Sequence, residues 1–119
     1  MAKVYVVQEV ANRNVLPAQQ YGELTLMLPP GDVVLSAAPT VKRLRRHLKD
    51  YTDQDFILTM GDPIAIALAG AIASESNAGK VNFLKWDRQE KKYYPVKTDI
   101  HGRACLLYTS DAADEIASV

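Results

Sequence analysis

At 119 residues, with 48% hydrophobic and 24% charged residues, the chain has the size and composition of one small folded domain that needs neither disulfides nor metal. Its longest apolar stretch, residues 64–73, falls well short of the roughly 20 residues a membrane helix requires. The opening run MAKVYVVQEV is too short and too interrupted for a signal peptide, so a soluble cytoplasmic protein that touches no membrane is the expectation.

Residues 3–10 are rich in β-branched side chains and predict a first strand. Residues 11–20, with Asn12, Asn14 and Pro17, read as a connecting loop. Residues 23–28 (ELTLML) predict a second strand, Leu24, Leu26 and Leu28 alternating against Glu23, Thr25 and Met27. Pro29, Pro30 and Gly31 end it, because proline gives no ladder hydrogen bond and glycine accepts turn angles. Residues 33–35 are expected to form a short third strand. Residues 40–51 (TVKRLRRHLKDY) are the clearest amphipathic helix, since Val41, Leu44, Leu48 and Tyr51 recur at spacings of three and four.

Residues 55–60 (DFILTM) predict a buried strand. Gly61-Asp62-Pro63 then reads as a helix start, with Asp62 as N-cap and Pro63 in the first turn. Residues 63–74 are apolar nearly all round, which predicts the most buried helix of the domain. A large side chain at Ala67 or Ala71 is therefore expected to overpack the core, at roughly 1–3 kcal/mol or more. Asn77 and Gly79 supply the stop. Residues 81–86 and 93–100 predict a hairpin around the turn at 87–91, with Leu84 and Trp86 on one face and Tyr94, Val96 and Ile100 on another. The expected fold class is α/β of the α+β type: a single compact domain over residues 1–104, with a mixed β-sheet, two helices and a C-terminal hairpin.

Residues 105–119 differ in kind. A helical tail is one reading, with Thr109 or Ser110 as cap. However, CLLYTSDAADE matches, codon by codon, the translation of a transposase-type sequencing-library adapter, and Ser118-Val119 fit its constant segment beyond a variable index. The stretch is therefore read as an adapter scar and set aside, with the natural chain interrupted near Ala104. The lone Cys105 then says nothing of redox compartment. Without Asp111, Asp114 and Glu115, the balance is 14 basic to 11 acidic residues, a net +3 rather than zero.

Two basic elements are candidates for a nucleic-acid contact. On a helical wheel Lys42, Arg45, Arg46 and Lys49 form a stripe able to follow phosphates, whose contacts carry no sequence information. The plainer reading is a solvated face whose long side chains cover the edge of the core. In the hairpin, Arg88, Lys91, Lys92 and Lys97 are interleaved with Trp86, Tyr93 and Tyr94, the mixture that binds single strands. Against this, Trp86 and Tyr94 read as core and the charges as decoration of a turn, with Tyr93 open to either role. The contact set is thus Lys42, Arg45, Arg46, Lys49, Arg88, Lys91, Lys92 and Tyr93.

No catalytic set emerges. MGDPIAIALAG suggests a phosphate-binding turn, but Asp62 would set a carboxylate where the anion belongs and Pro63 lacks an N–H. Residues 78–80 (AGK) lack the rest of a P-loop. Asp50, Asp53 and Asp55 have no EF-hand pattern and read as turn and capping groups. His47 and His101 have neither a zinc motif nor a triad partner. A non-enzymatic protein without cofactor or metal is expected.

The segments VVQEV, GELTLMLPPGDVVLS, FILTMGDPIAIALAGAIA and KWDRQEKKYYPV resemble a family of small uncharacterised proteins of tailed phages, chiefly from environmental and marine samples. The resemblance covers most of residues 3–100 and is most specific in LPPG, MGDP and KWDRQEKKYYP. It implies an intracellular role during infection and transfers no site residues. The leading expectation is a phage accessory domain that touches nucleic acid. The alternative is a module binding a host or phage protein, or a second copy of itself; strand order and oligomeric state stay open.

Overall fold

The computed structural model describes residues 2–31 and 37–102. The expected strand at 33–35 and the adapter-like stretch 105–119 lie outside the described residues. The elements are β1 (Lys3–Gln8), a 3-10 turn (Leu16–Tyr21), β2 (Glu23–Leu28), α1 (Ala38–Leu48), β3 (Phe56–Leu58), α2 (Pro63–Ser76), β4 (Lys80–Asp87) and β5 (Lys92–Asp99). They build a five-stranded mixed sheet in the order β2-β1-β3-β4-β5. The first four strands run parallel and β5 closes the hairpin antiparallel to β4. The expected fold class is the observed one.

The chain moves from β1 to one neighbour, β2, then returns across β1 to β3. Right-handed crossovers travelling in opposite directions place their connections on opposite faces of a sheet. Accordingly α1 and α2 cover one face, over Tyr5, Val7, Ile57 and Val81. The β1–β2 connection covers the other, setting Val10, Val15, Ala18 and Tyr21 against Val4, Val6, Leu58 and Leu84. Strands apolar on both faces follow from this double cover.

Several local expectations shift. β1 stops at Gln8 rather than Val10, where the Gln8 side chain turns inward to bond the neighbouring loops. The connection expected to be plain loop carries the 3-10 turn, with buried Ala18 donating its N–H to the Val15 carbonyl at 2.9 Å. In β2 the buried residues are Met27 and Leu28, whereas Leu26 is 46% exposed. β2 is an edge strand, with a neighbour on one side only. α1 begins before Thr40 and ends at Leu48; Tyr51 is buried beyond the helix end.

The face of α2 is the largest correction. Ala65, Ala69, Ile72 and Ala73 are buried against the sheet and α1, whereas Ala67 and Ala71 are exposed. An all-apolar helix has no moment to announce its inner face, so the pattern could not choose between alternating alanines. Its start is as expected, with Asp62 Oδ1 accepting from the Ile64 N–H at 2.8 Å and Pro63 in the first turn.

β5 forms one open edge. Ile100 donates its N–H to Gly79 at 2.9 Å, and bonding pairs alternate along an antiparallel ladder. Inward N–H groups therefore fall on even-numbered residues, and Pro95, paired with Leu84, turns its nitrogen outward. A proline in the outer row, with Lys97 beside it, discourages another strand from adding there.

Candidate functional site

Ligands of open α/β sheets lie beyond the carboxyl ends of the parallel strands, where the winding reverses. Here that point lies between β1 and β3, and it is tied shut. The buried Gln8 side chain donates from Nε2 to the carbonyls of Pro29 (2.9 Å) and Gly31, and its Oε1 accepts from the Asp62 N–H at 2.7 Å. LPPG and MGDP are thus held together by one amide. Gly61 is needed beside it: its φ is +122°, and an added Cβ would stand 2.5 Å from Gln8 Cβ. With Asp62 capping α2, the start of this helix is no anion site, for the reason the sequence supplies.

An open cleft of about 770 Å³ lies further along the same carboxyl ends. One wall is the loop after β1, Asn12 to Asn14; the floor is Leu58, Thr59 and Met60; the far wall is Lys85, Trp86, Arg88 and Tyr93 of the hairpin. Asn12 takes a φ of +65°, a conformation asparagine tolerates, and Arg13 donates its N–H to the Val10 carbonyl at 3.3 Å. The two walls are pinned to each other. Tyr93 Oη donates to the Asn14 carbonyl and Tyr21 Oη to the Tyr93 carbonyl, both at 3.1 Å.

Trp86 and Tyr93 face each other across β4 and β5, with ring centroids 4.9 Å apart and edge to face. Tyr93, open to either role in the sequence, is 3% exposed, and Trp86, read there as core, is 40% exposed. Tyr93 slides under the loop to reach Asn14, and Trp86 rides on it at the rim. Burial raises the Tyr93 phenol above its ordinary pKa, with nearby Arg13 pulling it down. The indole, not the phenol, is the aromatic surface available to a ligand.

Among the other sequence candidates, Arg88, Lys91 and Lys92 are exposed at the hairpin turn, which Asp87 closes by accepting the Gln89 N–H at 2.9 Å. Arg88 reaches the cleft. Lys42, Arg45 and Arg46 are exposed on α1 and Lys49 at its C-cap, and Arg45 Nη1 pairs with Glu75 Oε1 of α2 at 2.7 Å. α1 packs on β2 and α2, while α2 packs on β4, so α2 stands between the helix stripe and the hairpin. The two basic elements do not form one patch. His47 sits on the flank of α1, its pKa lowered by partial burial and then by Arg46 and Arg43.

Two of the three aspartates, Asp53 and Asp55, serve the opposite end of the sheet. Buried Asp55 accepts from the N–H groups of Lys3 (2.9 Å) and Thr52 (2.8 Å), and Asp53 accepts from Asn77 Nδ2 at 2.7 Å. Among the described residues no group of three or more His, Cys, Asp or Glu could hold a metal ion, and no helix is long and apolar enough to cross a membrane.

Arg13, Asn12 and Lys85 are the cleft residues that the sequence reading passed over. Arg13 lies in a loop immediately after a strand, a position that gains meaning only once that strand is known to be parallel and central. The family described as "Phage Pam3 gp32-like protein" matches residues 2–100. No curated protein and no solved structure matches the chain.

Proposed function

Because this chain belongs to the Phage Pam3 gp32-like family, we propose that it is a small non-enzymatic accessory protein of the infected cell's cytoplasm that contacts nucleic acid. One observation supports this reading: an exposed indole shares a cleft with Arg13, Lys85 and Arg88, and among the described residues no carboxylate side chain lines it. Cations draw in the phosphate backbone without regard to sequence, and an aromatic face holds bases. The hairpin then carries the contact, with Lys91 and Lys92 adding charge beside it. The α1 stripe acts as a separate and weaker field, since Arg45 is engaged by Glu75.

The test is a titration with labelled oligonucleotides at ~50 and ~200 mM salt, the range over which phosphate contacts weaken steeply. Salt-sensitive binding that Arg13→Gln with Arg88→Gln abolishes is expected, with binding retained when Lys42, Arg45, Arg46 and Lys49 become Gln. Loss only in the α1 variant would move the contact to that helix. No binding at low salt would sink the reading.

A second reading, a module that binds a host or phage protein or a second copy, is favoured by a different feature. On the helix face, Ile66, Ala67, Gly70 and Ala71 of α2 border an apolar groove of about 600 Å³ floored by Phe83, with Ile100 71% exposed at its mouth. Association through such a surface would persist as salt rises.

A further inference from the structure

We infer that the cleft receives one unstacked base of a single strand, held against Trp86, with the adjoining phosphates on Arg13 and Arg88. This deepens the proposed function and rests on it. In a duplex the base faces are covered by their neighbours, and only edges and phosphates are presented. An indole can stack only on a base that has left the stack. Trp86 stands at the rim of a concave site bounded by the loop after β1 and the hairpin turn. A cleft of about 770 Å³ suits a ligand of nucleotide size and is far too small for a double helix.

Charge points the same way. The cations come from opposite walls, Arg13 from the loop and Arg88 from the hairpin, so a strand crossing the cleft would meet one on each side. The nearest carboxylate in sequence, Asp87, is occupied with the N–H groups of Gln89 and Glu90 in the turn, at 2.9 and 3.3 Å. Among the described residues no helix start or glycine-rich loop lines the cleft, and none there offers the clustered backbone N–H groups that grip a polyphosphate. Isolated guanidinium groups suit the single charges of phosphodiesters. The tyrosine bonds that join the two walls hold the site open before binding, so little ordering is required of the protein.

Trp86 is the chain's one tryptophan, so its fluorescence reports on the proposed stacking partner directly. The experiment titrates the full chain with a single-stranded oligodeoxynucleotide of about twelve residues and with its duplex, reading anisotropy of the labelled oligonucleotide and Trp86 emission together. The single strand is expected to quench Trp86 and to bind at least about tenfold more tightly than the duplex. Trp86→Ala should weaken single-strand binding about 5- to 150-fold, the range that loss of one base–aromatic stack gives. Trp86→Phe should retain part of the affinity, and it guards against a folding defect in the alanine variant, as does the melting temperature of each. Arg13→Gln and Arg88→Gln should each lower the slope of log affinity against log salt by about 0.7. Equal duplex binding, or single-strand binding with unchanged Trp86 emission, would overturn this inference and leave the nucleic-acid reading standing. Absence of binding to either would overturn both.

Discussion

Gln8→Ala should destabilise the protein by roughly 2–4 kcal/mol. The substitution removes two donations, to Pro29 and Gly31, and one acceptance, from the Asp62 N–H. The two carbonyls belong to exposed residues and water can replace the amide there, but the half-buried Asp62 N–H loses the Gln8 oxygen it donates to. Removing the acceptor of a half-buried donor costs about 1–3 kcal/mol, and the space vacated by the amide adds a cavity term. In a domain of this size that lowers Tm by about 10 °C or more.

Gln8→Glu sharpens the test. It preserves the shape and the acceptor toward Asp62 but sets a carboxylate oxygen against two carbonyls. Protonated, Glu at this position can donate to one of them; ionised, it can donate to neither. Its carboxyl in the folded protein is therefore held above the ordinary value of about 4.3. The folded state binds this proton more tightly than the unfolded one. The variant should approach the parent's stability below about pH 4.3 and lose it as pH rises through the raised value. Urea unfolding of parent and variants, followed by circular dichroism at both pH values, measures this. An unchanged midpoint for Gln8→Ala, or a Gln8→Glu deficit independent of pH, would refute the reasoning.

The inner face of α2 can be checked by Ala69→Leu, which should cost roughly 1–3 kcal/mol by overpacking, beside Ala67→Leu, which should fall within about 0.5 kcal/mol of the parent. A lower urea midpoint for Ala67→Leu than for Ala69→Leu would mean the helix is turned the other way, and equal midpoints would mean the inner row is not selected as described. Tyr51 Oη donates to the Asp55 carbonyl at 3.1 Å and accepts from the Asn82 N–H at 2.9 Å, so Tyr51→Phe should cost about 1–3 kcal/mol in the same assay. Burial, with Asp55 and Asp53 nearby, pushes the Tyr51 phenol up to about 12 against the pull of the Asn82 N–H. A raised folded pKa means stability that is complete below about pH 10 and falls by roughly 2–3 kcal/mol toward pH 12. The phenylalanine variant should lose that part of the alkaline slope.

Elements signalled by neighbours in the chain were legible before folding was considered. Asp62-Pro63 starts a helix because the cap and its target N–H are two residues apart. Leu44 and Leu48 lie on one side of α1 because of helical pitch alone, and the turn after Asp87 closes through that residue's own side chain. The physics at these places is local, so a short window of sequence contains all of it. Arg88 could be nominated from the same kind of window, as a cation beside an aromatic.

What faces what was decided by the tertiary structure. Alanines run all round α2, and only the sheet selects Ala65, Ala69 and Ala73 as its inner row. Trp86 and Tyr93 are equally apt for a core. The choice fell to Tyr93 because its hydroxyl meets the Asn14 carbonyl, from a loop far away in the chain. Arg13 joins Arg88 only because β1 and β4 run parallel with β3 between them, bringing their carboxyl ends to one side. The sequence by itself determined the elements and the nature of their surfaces, since these depend on contacts within a few residues. The cleft depends on strand order, which arises from long-range packing and leaves no periodic mark in the chain.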